Sequence, residues 1–440
     1  MDVTTVGILS IVMLLVLLAL RYPISLTFII VGLISSVLII GFKAAGSLVG
    51  QTLYFSVAST SFCALPLFIL MGSFASRGGF ARRTYYAINR IAAGLPGSLA
   101  IATCYACAAF GAISGSALAT TTIFGRLTLP EMDRYGYDKS FAVGSIAASG
   151  SFAVMIPPSV AFINYAIFTE TSVGRLFAAG IVPGIITATV YAISMVYRAK
   201  RNPKLAPVFR EEKRITVLDR FKAVGLLWPI MLLALLVLGG IYSGIFTPAE
   251  AAAVGCIAVL ILGVQQKGIT SIEKVKEALR ESANTCAMVF LIVIGALYYT
   301  RVLSITQIPT RLSMMILALE APRLVILMGI FVIWFILGML IIPLGIYALT
   351  LPILFPLIVS LGYDPIWFGV VVVKLSEIAQ VTPPVGLNVF GLKGVAGDNV
   401  SIADIYRGIW PYVICDMLVL VLLIAVPDIA LWLPNLLMGS

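Results

Sequence analysis

The chain has 440 residues, 61% of them hydrophobic and 11% charged, with a mean hydropathy of +1.09 and a net charge of +10. Soluble domains carry about 25% charged residues, so this composition excludes a soluble protein and describes an all-α polytopic membrane protein. There is no histidine, which removes histidine acid–base catalysis, Ser–His nucleophiles and histidine metal ligands.

Residues 3–20 and 24–41 read as two spans separated by Arg21 and Pro23. The first lacks a basic leader and a small-residue cleavage site, so it is expected to stay as a span. Residues 53–76 form a third span containing Pro66. Residues 77–90, RGGFARRTYYAINR, place aromatics between basic residues and fit either an interfacial amphipathic helix on the cytoplasmic face or a plain basic loop. Residues 91–125 carry no charge; they are too long for one crossing of about 20 residues and short for two. A re-entrant hairpin is predicted there, with its tip near residues 111–122. Residues 141–168 form a span broken by Pro157-Pro158, and residues 176–197 lead into a basic linker.

That linker, residues 198–222, holds nine Lys or Arg and three Asp or Glu, and is predicted to be cytoplasmic rather than to bind nucleic acid. Beyond it, 224–241 and 251–265 read as spans, 267–281 as a polar loop and 283–300 as a span. Residues 302–323 read as an interfacial helix, 324–363 as a second hairpin with its tip around 340–348, 366–392 as a span broken by Pro383-Pro384, and 409–433 as the last span. Asp416 and Asp428 are expected at the polar edge of that span or at a partner contact. The six cysteines, Cys104 and Cys107 among them, lie in apolar surroundings and read as core residues.

The chain repeats itself. GYDKSFAVGSIAASGSFAVMIPP (136–158) returns as GYDPIWFGVVVVKLSEIAQVTPP (362–384), and one gapless shift of 226 positions also puts Pro130 on Pro356 and Ala153 on Ala379. Counting crossings gives five full spans plus one hairpin per half, and an odd number inverts the second half relative to the first. The domain expectation is a first repeat over 1–198 (hairpin about 91–125, broken helix 141–168) and a linker over 199–222. The second repeat covers 223–440 (hairpin about 324–360, broken helix 366–392). With the linker inside, residues 77–90 also fall inside and both termini lie outside.

In each half a hairpin tip should meet a broken helix: Ser114-Gly115-Ser116 with 150–158, and 342–345 with 380–384. Carbonyls freed by the prolines need partners, and a hard cation such as sodium supplies one, with Ser114, Ser116 and Thr382 adding hydroxyl oxygens. The same small residues and prolines could instead serve only close packing and kinks. Lys374 and Glu377, three apart on one helix face, read as a structural ion pair or as a group attracting an anionic substrate. No GxxxxGK[ST] loop is present, so ATP is not expected to supply the energy. Without histidine or a polar dyad in the spans the chain is not expected to be an enzyme, and the inverted hairpins argue against a channel.

FGAISGSALATT, PEMDRYGYDKSFAVGSIAASG, SFAVMIPPSVAFINYAI, LPLFILMG (65–72) and VTPPVGLNVF (381–390) resemble the large membrane subunit of tripartite ATP-independent periplasmic (TRAP) transporters, members of the ion transporter superfamily, over essentially the whole chain. The resemblance implies a scaffold and an elevator-type transport domain holding both hairpins. It implies a first sodium site at Ser114, Ser116, Gly150, Val154 and Pro157, and a second at Pro343, Gly345, Gln380, Thr382 and Pro383. The family often has a further Ser after the Ser-Gly-Ser run, where this chain has Ala117. No cofactor is implied beyond sodium as coupling ion. The implied partners are a periplasmic substrate-binding protein and a small four-helix membrane subunit, the latter expected as a separate polypeptide. Sodium-driven uptake of a small organic anion, expected to be a carboxylate, across the bacterial inner membrane is the expected function. A stand-alone sodium–carboxylate carrier of the same superfamily is the alternative.

Overall fold

Inside a bilayer every backbone polar group must be satisfied within the protein, which leaves helices as the economical solution for a chain this apolar. The computed structural model describes residues 2–58, 60–207 and 216–439, and among them there are helices and no strands. Five helices are long and apolar enough to cross a membrane singly, and three pairs bent by 44–64° could each make a further crossing. Val3–Ala19 and Ile24–Ile40 are apolar helices of 17 residues each.

The repeated Gly-Tyr-Asp is a punctuation mark. Gly136 and Gly362 follow the second hairpin arms with φ of +71° and +79°, a left-handed conformation that glycine adopts without penalty. The aspartates then cap the next helices. Asp138 accepts from the Phe141 amide at 2.9 Å, and Asp364 accepts from the Ile366 and Trp367 amides at 2.7 and 2.9 Å. The motif thus recurs because the same turn into the same broken helix is built twice.

The first hairpin consists of Ser98–Ser114 and Ala117–Arg134, and the second of Arg323–Gly338 and Pro343–Ser360. The first broken helix is Lys139–Met155 followed by Val160–Thr169, and the second is Pro365–Val381 followed by Leu387–Ala396. Ala117 to Pro343 and Lys139 to Pro365 are both 226 positions, so the offset of the motif is also the offset of the helices. Both Pro-Pro bonds at the breaks are cis.

Residues 141–152 and 366–381 are buried on every side of their helices. The first segments of the two broken helices therefore form the centre of the molecule. Trp334, Tyr165, Tyr191 and Tyr347 are fully buried with them, and Trp367 of the second segment donates its indole N–H to the Leu423 carbonyl at 2.8 Å. The tightest crossing sets Lys139–Phe152 against Ile402–Ala425. A methyl on Gly408 would lie 1.8 Å from the Ser140 carbonyl oxygen, and one on Gly144 would lie 2.2 Å from the Gly408 backbone. Close backbone approach of this kind is how membrane helices gain packing energy without a hydrophobic driving force. Gly408→Ala is expected to destabilise the protein by about 1–3 kcal/mol through overpacking, read as a lower unfolding midpoint in detergent.

Several boundaries differ from the expectation. The first hairpin occupies 98–134 rather than 91–125: Gly94 and Gly97 (φ +86° and +75°) turn the chain before it, and its second arm runs on past Arg126. Loss of charge marks depth in the membrane, whereas helix ends are set by caps. The second hairpin turns at 339–342, at the start of the expected tip. The third span begins at Thr60, after Phe42–Val57 has ended. Residues 267–281 are mostly helical, being the start of Ile272–Thr306, where Glu273 and Lys276 pair at 2.9 Å; their polarity signals exposure, not a loop. The expected interfacial helix over 302–323 shortens to Ile308–Leu317, and the closing span divides into Ile402–Ala425 and Asp428–Met438 around Pro427. Residues 77–90 take the helical alternative, as Phe80–Ala92, burying Phe80, Tyr85 and Ile88 while exposing Arg82, Arg83 and Tyr86. Of the basic linker, residues 208–215 lie outside the described residues, and Val217–Gly225 is a helix started by a Thr216–Asp219 capping box.

Candidate functional site

The two hairpin tips and the two helix breaks meet at one cleft of about 310 Å³. Ser114 to Ala119 come from the first tip and Ile342 to Leu344 from the second. Val154 and Val160 flank the first break, and Gln380 and Leu387 flank the second. Thr60–Arg77 and Ile272–Thr306 close the sides through Gly72, Ser73, Ser76, Thr285 and Met288. Four helices start at this cleft, at Ala117, Val160, Pro343 and Leu387. Only the first has a side-chain cap, Ser116 accepting from the Ala119 amide at 3.3 Å. Helix starts carry partial positive charge and unpaired N–H groups, which favour an anion. Three helices end there, at Ser114, just past Val154 and just past Gln380, with carbonyls that favour a cation. The one charged residue lining the cleft, among the described residues, is Glu281, which is paired with Arg77.

The first tip is clamped onto the first break. Gly115 turns the chain with φ +59°, and a methyl there would lie 3.3 Å from the Pro158 carbonyl oxygen. Gly111 abuts the Ala153 carbonyl, Gly72 abuts the Ser114 backbone, and a methyl on Gly150 would sit 2.1 Å from Thr121 Oγ1. Thr120 donates its hydroxyl to the Ser116 carbonyl at 2.8 Å, so at the 3.0 Å contact between Ser114 Oγ and Thr120 Oγ1 it is Ser114 that donates. The Ser114 lone pairs stay free. The Thr121 and Ser159 hydroxyls are shielded and have no partner among the described residues. An orphaned buried hydroxyl costs about 1–3 kcal/mol, and a cation at the tip would offset it. The sequence reading did not single out these two hydroxyls, although both lie inside stretches it quoted, Thr121 in the 111–122 tip and Ser159 just after Pro157-Pro158.

Of the residues expected at the first site, Ser114, Ser116 and Val154 line the cleft, while Gly150 and Pro157 lie buried beneath it. Of those expected at the second, Pro343 and Gln380 line the cleft. Gly345 instead faces the Ile24 and Ile341 side chains. Thr382 donates to the Ile378 carbonyl at 2.6 Å and, with Pro383, sits behind the break in a small gap beside Tyr406 and Trp410. Three of the five residues of the first set line the cleft, against two of the five of the second.

Lys374 does not line the cleft. It is fully buried and donates to Asp416 Oδ1 at 2.7 Å, to Thr187 Oγ1 at 3.2 Å and to Glu377 Oε2 at 3.3 Å. Tyr191 donates its hydroxyl to the other Asp416 oxygen. Asp416, expected at a polar edge or a partner contact, is instead the nearer counter-charge of Lys374 in the protein interior, because Ile402–Ala425 packs directly on Pro365–Val381. Asp428 is exposed at the start of the last helix.

A family model described as "Tripartite ATP-independent periplasmic transporter, DctM component" matches residues 11–429. The isethionate TRAP transporter permease protein DctMQ of Oleidesulfovibrio alaskensis is 36% identical over 396 residues, covering 88% of this chain; the chain spans 61% of that relative's length. The C4-dicarboxylate TRAP transporter large permease protein DctM of Pseudomonas aeruginosa is 34% identical over 372 residues, covering 84% of this chain and 86% of that one. Among solved structures, the YdaH transporter of Alcanivorax borkumensis is similar in fold, with a TM-score of 0.66, 14% identity, and coverage of 89% of this chain and 88% of that one.

Proposed function

Since the chain belongs to the DctM family of large permeases of tripartite ATP-independent periplasmic transporters, and is a transporter rather than an enzyme, we propose that it drives uptake of a small organic anion with sodium. The observation that carries this reading is the cleft at which four helix starts and three helix ends converge. Discontinuous helices of this kind present N-termini to an anionic substrate and carbonyl ends to a coupling cation. With no Lys or Arg lining the cleft among the described residues, the helix starts and the bound ions are left to balance the anion. Isethionate and C4-dicarboxylates, the substrates in the names of the two relatives, are both small organic anions.

The two halves are read as inverted repeats moving as an elevator against a scaffold. Ser151 Oγ donates to the Glu377 carbonyl at 3.0 Å, and these residues are 226 positions apart. A contact between counterpart positions is what a two-fold axis passing near them would give, as in an isologous interface, and supports this reading. The packing also exchanges halves: Thr60–Arg77 lies on Pro248–Gln265, and Ile24–Ile40 lies on Ile272–Thr306. The partners proposed are a periplasmic binding protein that delivers the substrate and a separate small membrane subunit, in a bacterial inner membrane with both termini periplasmic. Two sodium ions with a monovalent anion move one net positive charge, gaining about 2.3 kcal/mol per 100 mV. A tenfold sodium gradient adds about 1.4 kcal/mol per ion.

The test is uptake by liposomes holding this chain and its small subunit, with and without an inward sodium gradient and the cognate binding protein. Uptake needing both is expected. Uptake with sodium alone would favour the stand-alone carrier, and uptake indifferent to sodium would overturn both ion-site assignments. Ser114→Ala removes one oxygen from the first site and is expected to raise the sodium concentration for half-maximal uptake about tenfold, since a hydrogen bond or ligand to a charged group contributes roughly 1.5 kcal/mol.

A further inference from the structure

A second, larger cavity of about 800 Å³ lies far from the cleft, where Phe80–Ala92 meets the outer end of the first hairpin and the corner before Ile272. Four basic residues line it, Arg82, Arg83, Lys267 and Lys274, against one acid, Glu131. Arg83 donates to the Gln266 carbonyl at 3.1 Å and Lys274 to the Gly268 carbonyl at 2.7 Å, so these two hold the corner in shape. Arg82 and Lys267 have no side-chain partner among the described residues. The Gln266 amide is shielded with neither its nitrogen nor its oxygen satisfied, and the Asn89 carbonyl oxygen is in the same position. The Tyr85 hydroxyl, also lining the cavity, is unpartnered too among the described residues, so the cavity presents two free cations beside an unsatisfied amide, an unsatisfied carbonyl oxygen and an unsatisfied hydroxyl.

We propose that this cavity binds the headgroup of an anionic phospholipid bearing hydroxyls, of the phosphatidylglycerol type. The phosphate would meet Arg82 and Lys267, and the glycerol hydroxyls would meet the Gln266 and Asn89 side chains. The setting is that of a membrane surface: Phe80–Ala92 is amphipathic and basic, as interfacial helices are. Leu226 lines the cavity, and the adjoining Phe221, Val224 and Trp228 are exposed apolar side chains on which acyl chains can lie. A free phosphate would leave that apolar surface and the two amides unused. Because Leu127 and Glu131 belong to the first hairpin and Gln266 to Lys274 belong to the opposite corner, a seated headgroup ties the hairpin to the corner.

The experiment is native mass spectrometry of the purified full-length chain with phosphatidylglycerol, phosphatidylethanolamine or phosphatidylcholine, alongside unfolding midpoints with each lipid or with inorganic phosphate. Phosphatidylglycerol is expected to be retained at least tenfold better than phosphatidylcholine and to raise the midpoint. Arg82→Ala/Lys267→Ala is expected to lose both effects while keeping its lipid-free midpoint, and Arg82→Lys/Lys267→Arg to keep them. Equal retention of all three lipids, preference for phosphatidylethanolamine, unchanged retention by the double alanine variant, or equal protection by inorganic phosphate would each overturn the proposal. Mass and midpoint are read without transport, so failure here leaves the uptake reading intact.

Discussion

Asp416→Ala is expected to cost about 3–5 kcal/mol of stability, because it leaves a buried lysine short of its nearest counter-charge. Lys374 is fully enclosed, its 2.7 Å contact is to Asp416, and the remaining carboxylate, Glu377, stands at 3.3 Å with one oxygen already unpartnered among the described residues. The same substitution strands the Tyr191 hydroxyl. Since native proteins have margins of only about 5–15 kcal/mol, most of the variant should fail to accumulate as a monodisperse species, and the remainder should melt earlier. Asp416→Asn keeps the hydrogen-bonding shape without the charge and should lie between. Replacing all three charges together, with Lys374→Met, Asp416→Leu and Glu377→Gln, should recover much of the loss, because burying a charged cluster carries its own desolvation cost. Fluorescence-detected size exclusion and thermal melts of the four proteins decide the matter. If Asp416→Ala melts like the parent but no longer transports, the cluster has a role in the transport cycle and the structural assignment is wrong.

Gly150→Ala should leave a folded protein whose apparent sodium affinity is reduced by on the order of a hundredfold, the loss of about two ligands at roughly 1.5 kcal/mol each. The added methyl would fall 2.1 Å from Thr121 Oγ1 and 2.7 Å from Thr121 Cα. The second contact is to backbone, so no rotation of the threonine relieves it. The second arm of the first hairpin has to retreat, taking Thr121 and the Ser116 cap at its start away from the carbonyls of the break. Gly394→Ala is the matched control, since a methyl there meets nothing within 4 Å. Uptake titrated with sodium, at equal amounts of reconstituted protein, provides the comparison. Identical sodium curves for Gly150→Ala and the parent would remove the first site from this location.

Much of this was legible in the chain. Composition identified the class, and the two Pro-Pro pairs marked the breaks, because two consecutive prolines remove two backbone donors and crowd the preceding turn, whereas single prolines such as Pro66 and Pro183 are carried inside helices. The i, i+3 spacing of Lys374 and Glu377 announced their pairing, since one helical turn brings such residues together. Hairpin ends were misplaced by up to nine residues, because charge reports solvent exposure and caps such as Asp138 report where a helix starts. Asp416 was read as peripheral because its partner lies 42 positions away on another helix, and no local period encodes which helix faces which.

What the sequence determined by itself was what depends on near neighbours along the chain: the apolar spans in outline, the two breaks at the Pro-Pro pairs, the Lys374–Glu377 spacing and the duplication at 226 positions. What only the tertiary structure decided was which of those breaks share a cleft, which faces of Thr382 and Gly345 turn away from it, and where the buried charges find each other. These depend on the close crossing at Gly144 and Gly408 and on the clamping of Gly111, Gly115 and Gly150, where backbones meet without intervening side chains. A glycine in the sequence states that close approach is permitted; only the packed fold selects the surface that approaches.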